Sequence, residues 1–174
     1  MFDAPVFIDF EASSLSDDSW PIEVGMSWTD GKRVITHSSL IRPRHDWSST
    51  EWDEGSAKIH NIPKRDLIAA PEADLVARWL EDLVDGRPLV SDALSFDERW
   101  LRLLVGPQDW CRVHSMDVAL EWAFAQNGRI NPGKLGLAYK VIRSQHTQHR
   151  AGPDAAGHAY AWRKVMKSKQ KDGS

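Results

Sequence analysis

The sequence predicts an α/β fold in which a mixed β-sheet carries helices on both of its faces. Three strand-like segments open the chain, and an Asp30-Gly31 pair, typical of hairpin turns, joins the second to the third. After Pro71, segments with helical periodicity alternate with short apolar segments, which is typical of crossovers between parallel strands. The predicted order is β-β-β-α-β-α-β-α-α-α, an antiparallel meander of three strands followed by two parallel strands.

The three strands of the meander are predicted at residues 5–11, 22–29 and 33–41. In the first strand, Phe7, Asp9 and Glu11 share one face, because side chains alternate along a strand. The two carboxylates would therefore emerge about 6.5–7 Å apart along the backbone. Residues 6–8 are wholly apolar, so this strand is expected to be central and buried. Acids at its end then need a partner.

The rest of the chain is predicted to be mostly helical. Residues 44–70 are polar and only weakly periodic, with two short helices favoured around residues 59–62. A longer helix opens at Pro71 and stops at Gly86, and a capping box at residues 95–98 would start the next helix. Short strands are predicted at residues 88–91 and 111–115, and further helices at residues 116–126 (closed by Asn127-Gly128), 134–143 and 151–167.

Length and composition indicate one domain over residues 1–167, followed by a basic polar tail over residues 168–174. The net charge of −3 disfavours a grip on long duplexes through phosphate contacts and favours a short strand end. The single cysteine, Cys111, excludes an internal disulfide and a cysteine-rich zinc site. Without an apolar run of membrane-spanning length or a signal-like N-terminus, the expected location is cytoplasmic, with no membrane partner.

Two further acids are predicted at the starts of helices. Asp97 would lie in the first turn of its helix, and Asp154 near the start of the last helix, five residues after His149. The helix macrodipole favours negative charge at such positions, so each acid taken alone also fits a purely structural role. Together with Asp9 and Glu11, however, they place four carboxylates at strand ends and helix starts.

Four carboxylates carry about −4, which two divalent cations such as Mg²⁺ or Mn²⁺ would balance with oxygen ligands. Two metal ions can clamp the attacking and leaving oxygens of a phosphodiester during its hydrolysis. A histidine beside them can accept the proton of the attacking water, which makes His149 the candidate general base.

Several short motifs follow one another along the chain, and together they span nearly all of it. Phe7-Ile8-Asp9-Phe10-Glu11 comes first, then Ile22-Glu23-Val24-Gly25 and the turn Ile59-His60-Asn61-Ile62. Ser95-Phe96-Asp97 follows, and His149 precedes Asp154 with four residues between them. In this order and spacing, the chain resembles the DEDDh exonucleases of the RNase H-like superfold. That family includes the proofreading subunit of bacterial DNA polymerase III, ribonuclease T and the TREX-type exonucleases. A sister subgroup has tyrosine where this chain has Arg150, so the histidine type is the better match.

The resemblance implies a five-stranded mixed sheet flanked by helices and a 3′–5′ exonuclease activity that releases nucleoside 5′-monophosphates. The substrate would be a 3′ end of single-stranded DNA or RNA. The resemblance leaves a homodimer open, because dimers are common among small relatives. It implies that His149 is the general base, that the metal ligands are Asp9, Glu11, Asp97 and Asp154, and that the slot for the terminal nucleotide is lined by Phe10, Ala12, Leu15 and Phe96.

Two departures from the family put the choice of substrate in question. Many relatives have His-Asn where this chain has Ser91-Asp92, so that Asp92 adds a negative charge near the metals. Ala12 replaces the usual threonine, as in the TREX type. The alternatives are therefore a nuclease for short oligoribonucleotides and a non-catalytic relative that binds nucleic acid.

Three tryptophans in predicted loops leave two interpretations open. Trp20, Trp47 and Trp52 could stack on bases beyond the site, or they could pack over the sheet edge. His158, one helical turn after Asp154, is interpreted as a structural neighbour of that acid.

Overall fold

The computed structural model describes residues 5–126, 129–130, 132–144 and 147–171. Its main sheet has five strands in the order β3-β2-β1-β4-β5. The first three strands pair antiparallel, whereas β4 pairs parallel with both β1 and β5. The predicted mixed sheet is confirmed. The strands are β1 Val6–Ala12, β2 Pro21–Asp30, β3 Arg33–Leu40, β4 Leu89–Ser91 and β5 Val113–Ser115.

Six α-helices are found among the described residues, and none of them has the length and apolar character that a membrane crossing requires. They are α1 Glu54–His60, α2 Ala73–Val84, α3 Leu94–Val105, α4 Met116–Phe124, α5 Pro132–Arg143 and α6 Ala151–Lys171. Three short 3₁₀ turns cover Ser49–Glu51, Lys64–Ala69 and Asp109–Cys111. A small hairpin of β6 Ala125–Gln126 and β7 Arg129–Ile130 follows α4.

Two apolar cores lie on opposite faces of the sheet, and β1 contributes to both. Val6, Ile8 and Phe10 pack into a core with α2 and α3. Phe7 packs on the other face with α4, α5 and α6. Because side chains alternate along a strand, Asp9 and Glu11 point to the same face as Phe7, towards α6. The predicted central position of β1 and the helices on both faces are confirmed.

The hairpin between β2 and β3 confirms the turn but shifts it by one residue. Asp30 pairs with Arg33, so the two loop residues are Gly31 and Lys32 rather than the predicted Asp30-Gly31. Gly31 has φ +54°, a left-handed conformation that glycine adopts without steric cost.

The predicted capping box at residues 95–98 is wrong. Helix α3 begins at Leu94 with Ala93 as its N-cap residue, so Ser95 already lies inside the first turn. The hydroxyl group that contacts the start of α3 belongs instead to Ser91, at the end of β4. The Ser91 hydroxyl accepts a hydrogen bond from the Ala93 N–H and donates one to Asp97. The start of α3 is therefore held by a residue of the preceding strand and not by a serine within the predicted capping box.

Other boundaries differ from the predictions by a few residues. Helix α2 begins two residues after Pro71, and α6 extends four residues beyond the predicted end at residue 167. Residues 168–171 of the predicted tail are therefore helical, while the predicted stop at Asn127-Gly128 and residues 172–174 lie outside the described residues. Of the two short helices predicted around residues 59–62, α1 is formed, and Asn61 ends it with φ +53°.

Candidate active site

The two acids of the first motif lie in the second half of β1. Asp9 is opposite Gly25 and Glu11 is opposite Glu23 in the pairing with β2. Both side chains are partly buried and point to the face that α6 covers. The strand therefore sets the two carboxylates side by side under the start of a helix.

Asp97 reaches the same place from α3. Its side chain is only 1% exposed and accepts hydrogen bonds from the Ser91 hydroxyl and from the backbone N–H of Phe10. These donors belong to β4 and β1, so the carboxylate is fixed between the two parallel strands. Asp97 can both start its helix and belong to the site, because the first turn of α3 lies at the ends of these strands.

Asp154 approaches from α6 and is 8% exposed. Its carboxylate accepts a hydrogen bond from the Gln148 N–H at 2.7 Å, which ties the preceding loop to the helix. The helix can lie this close to the sheet because Gly25 has no side chain: a Cβ atom there would overlap the backbone of Ala151 and Gly152. The glycine of the Ile-Glu-Val-Gly motif thus allows Asp154 to reach the acids of β1.

The acids form two groups that share Asp9. Single carboxylate oxygens of Asp9, Glu11 and Asp154 lie within 4.8 Å of one another. Oxygens of Asp9, Asp92 and Asp97 meet the same limit. All four predicted metal ligands are therefore brought together by the fold, and each group could hold a divalent cation.

Crowding of these acids raises their pKa values. Burial, followed by the charges of Asp97 and Glu11, raises the pKa of Asp9 well above its ordinary value. Burial and the charge of Asp154 raise the pKa of Glu11 to about 8, and burial raises that of Asp97 to about 7. In the absence of a cation, the site therefore favours protonated carboxyl groups. A bound cation would relieve this repulsion.

Asp92, which departs from the family pattern, lies beside the acids as expected. Its Oδ1 is 3.3 Å from Nε2 of His158, and this hydrogen bond is the main cause that lowers the pKa of Asp92. The charge of Asp92 in turn raises the pKa of Asp9 and of Asp97. His158 thus contacts Asp92, a partner that its spacing from Asp154 did not indicate.

His149 lies on the loop before α6, with an exposed side chain and φ +54°. It lines the same cavity as Asp9, Glu11, Asp97 and Asp154. The structure therefore places the candidate base beside the candidate metal ligands.

This cavity, of about 280 Å³, also contains every residue of the predicted nucleotide slot. Phe10 and Ala12 are buried and form part of its floor, while Leu15 is 67% exposed at its rim. Phe96 completes the predicted set. Residues that the sequence did not assign to the slot are Ser14, Ser56, Ile59, His60, Ala93, Trp100 and Thr147. The resemblance to the family gave a signal for Ser14, in the continuation of the first motif, and for the Ile59-His60 turn.

The loop tryptophans pack together. Trp20 is 1% exposed, its ring lies 6.1 Å from the rings of both Trp47 and Trp52, and its Nε1 donates to the Ser48 carbonyl oxygen at 2.9 Å. Base stacking on Trp20 is therefore excluded. Trp47 and Trp52 remain partly exposed but pack against the same small core.

Nucleases are among the solved structures that match this fold. Cell-death related nuclease 4 matches with a TM-score of 0.66 and 14% identity over 96% of this chain, which spans 64% of that protein. E. coli Exonuclease I, in complex with a dA16 oligonucleotide, matches with a TM-score of 0.63 and 16% identity over 95% of this chain and 41% of its own. The nuclease domain of 3′hExo, a DEDDh family member bound to rAMP, matches with a TM-score of 0.63 and 12% identity over 96% of this chain and 93% of its own.

These comparisons establish the fold. The chain has the RNase H-like fold of DEDDh-type exonucleases, and it spans less than two thirds of the length of cell-death related nuclease 4. No protein-family model and no curated protein matches the sequence itself.

Proposed function

We propose that the protein is a metal-dependent 3′–5′ exonuclease that hydrolyses the last phosphodiester bond of a single-stranded nucleic acid and releases nucleoside 5′-monophosphates. The observation that carries the proposal is that Asp9, Glu11, Asp97 and Asp154 line one cavity with His149, and that their carboxylates form two clusters that share Asp9. The fold supports it, because neighbours with the same fold include 3′-exonucleases.

The donor set fits hard divalent cations, since every member is a carboxylate oxygen. Asp9, Glu11 and Asp154 would hold one Mg²⁺ or Mn²⁺ ion, and Asp9 with Asp97 would hold the second. The charge of about −4 on the four acids balances two such ions. When bound, the ions would polarise the phosphodiester and make the attacking water more acidic.

The remaining steps belong to the side chains of the cavity. His149 accepts the proton of the attacking water at an imidazole nitrogen, and its exposed position on the rim gives that water access. Phe10 and Ala12 form a buried floor under the terminal nucleotide, and Leu15 at the rim contacts its base or sugar. A slot with such a floor would take a strand end, and the neighbours that are 3′-exonucleases favour the 3′ end.

DNA and RNA are both proposed as substrates. Exonuclease I was solved with a DNA oligonucleotide and the nuclease domain of 3′hExo with a ribonucleotide. The net charge of −3 supports short contacts with a strand end, so activity should depend only weakly on salt. Short oligoribonucleotides remain the alternative substrate, and a homodimer stays a prediction.

The test is digestion of 5′-labelled DNA and RNA oligonucleotides of graded length, with Mg²⁺, with Mn²⁺ or with EDTA. We expect a descending ladder with either metal, no digestion in EDTA, and recovery when metal is restored. Asp97→Asn is the matched inactive control. Full turnover in EDTA, immediate release of the 5′ label as a mononucleotide, or cutting of closed circles would contradict the proposal. A protein that binds oligonucleotides without turnover in any metal would instead be the non-catalytic relative.

A further inference from the structure

We infer that Glu23 and Arg150 form a positioning pair that holds His149 in place at the rim of the cavity. The inference rests on the proposed function, in which His149 is the general base. Neither Glu23 nor Arg150 lines the cavity among the described residues, so neither would touch the substrate in the proposed reaction.

Glu23 is a buried acid in the middle of the sheet, 3% exposed, on a strand paired on both of its edges. A buried carboxylate without partners would be costly, and here three donors satisfy it. Arg150 donates from Nε at 2.9 Å and from Nη2 at 2.7 Å, and the Ala151 N–H donates at 3.0 Å. All three donors come from the two residues that follow His149.

The geometry of this contact fixes orientation as well as distance. The guanidinium of Arg150 uses two parallel donors on the two oxygens of Glu23, an arrangement that a single lysine charge cannot reproduce. Both oxygens of Glu23 already accept hydrogen bonds, so Glu23 is not counted among the metal ligands even though it pairs with Glu11 across the strands.

An anchor matters for His149 because this residue lies on a loop. Its side chain is exposed, and its φ of +54° is unusual for a residue other than glycine, so the surrounding structure must impose this conformation. Anchors lie on both sides of it. Before it, the Gln148 N–H is tied to Asp154; after it, Arg150 and Ala151 are tied to Glu23.

If the Glu23–Arg150 ion pair only stabilised the fold, its loss would affect kcat in the same way with and without His149. The Arg150 side chain is 44% exposed, so the ion pair itself contributes modestly to the fold. A positioning pair, in contrast, should affect the rate only while His149 is present. That difference can be measured with a double-mutant cycle.

The experiment compares wild type, Glu23→Gln, His149→Ala and the double variant by steady-state digestion of one oligonucleotide. Glu23→Gln should lower kcat roughly tenfold or more with KM little changed, because a small misplacement of a reacting group is costly. In the His149→Ala background the same substitution should change kcat less than about twofold. Arg150→Lys keeps the positive charge but loses the two parallel donors of the guanidinium, so it should lower kcat as Glu23→Gln does. It replaces Glu23→Gln in the cycle if that variant folds poorly.

Hydrogen exchange in the metal-free protein gives a readout that does not depend on activity. Glu23→Gln should speed exchange in residues 147–151. Glu72→Gln, which breaks the exposed Arg42–Glu72 ion pair away from the cavity, should change neither exchange there nor kcat.

Equal losses of kcat from Glu23→Gln in both backgrounds would overturn the inference, and so would unchanged exchange in residues 147–151. A wild-type protein that digests no oligonucleotide would overturn the proposed function instead, and the exchange measurement would still decide whether the pair holds the loop.

Discussion

Removing the charge of Glu11 should stabilise the metal-free protein by an amount that grows with pH. Burial and the charges of Asp154 and Glu23 raise the pKa of Glu11 from 4.5 to about 8. The folded chain therefore binds this proton more tightly than the unfolded chain does. Stability is present at low pH and is lost as pH rises from about 4.5 through about 8. Glu11→Gln keeps the size of the side chain and cannot ionise, so it should escape this loss.

The magnitude follows from the size of the pKa change. A rise of about 3.5 corresponds to an upper limit of about 5 kcal/mol. Water reaches part of this side chain and screens its charge, which reduces the expected gain to about 1–2 kcal/mol. In a chain of this size each kcal/mol moves Tm by about 2–4 °C, so Glu11→Gln should raise Tm by about 2–8 °C at pH 8.5 and hardly at all at pH 4.5.

The assay is thermal unfolding in EDTA at the two pH values, followed by tryptophan fluorescence, with Glu72→Gln as the control for loss of an exposed acid. Added Mg²⁺ at pH 8.5 should raise the Tm of wild type more than that of Glu11→Gln, because a cation supplies the missing counter-charge. The reasoning fails if the difference in Tm between Glu11→Gln and wild type is the same at both pH values.

Three further substitutions test the site. Asp97→Asn keeps the size of the side chain but removes the charge of a proposed metal ligand, so the rate of digestion with Mg²⁺ should fall by several orders of magnitude. The free energy of unfolding in EDTA should change by about 1 kcal/mol or less. A variant that loses its fold but keeps normal specific activity would mean that Asp97 serves only to start its helix. His149→Ala should lower kcat roughly 10²–10⁴-fold in steady-state assays, with Mn²⁺ affinity by calorimetry unchanged, and wild-type turnover would remove it as the base. Gly25→Ala forces a methyl group into the backbone of Ala151, so chemical denaturation should show a loss of about 2 kcal/mol or more, and wild-type stability would refute the close approach of α6.

The sequence predicted the strands of the meander and the four acids because the signals for both are local. Alternation along β1 places Asp9 and Glu11 on one face whatever the rest of the chain does. The turn at Gly31 could be found for the same reason, although its exact register depends on how β2 and β3 pair. The resemblance then linked these residues to Asp97, Asp154 and His149 across the chain.

Contacts between distant segments could not be predicted in this way. Glu23 and Arg150 are 127 positions apart, and nothing near either residue indicates the other. The contact of Asp92 with His158 likewise depends on how α6 packs against the sheet. The capping-box prediction failed because α3 begins one residue before Ser95, and the hydroxyl of Ser91 makes the hydrogen bonds at its start.

The position of α6 sets the moment at which the site can form during synthesis. During synthesis, Asp9 and Glu11 are made long before Asp154, the third member of their group, which belongs to α6. A nascent chain that ends before His149 would expose β1 without α6, the helix that covers it, and without the candidate base. Such a chain would lack one member of the acidic group as well as the candidate base, so the complete site can form only when α6 docks on the sheet.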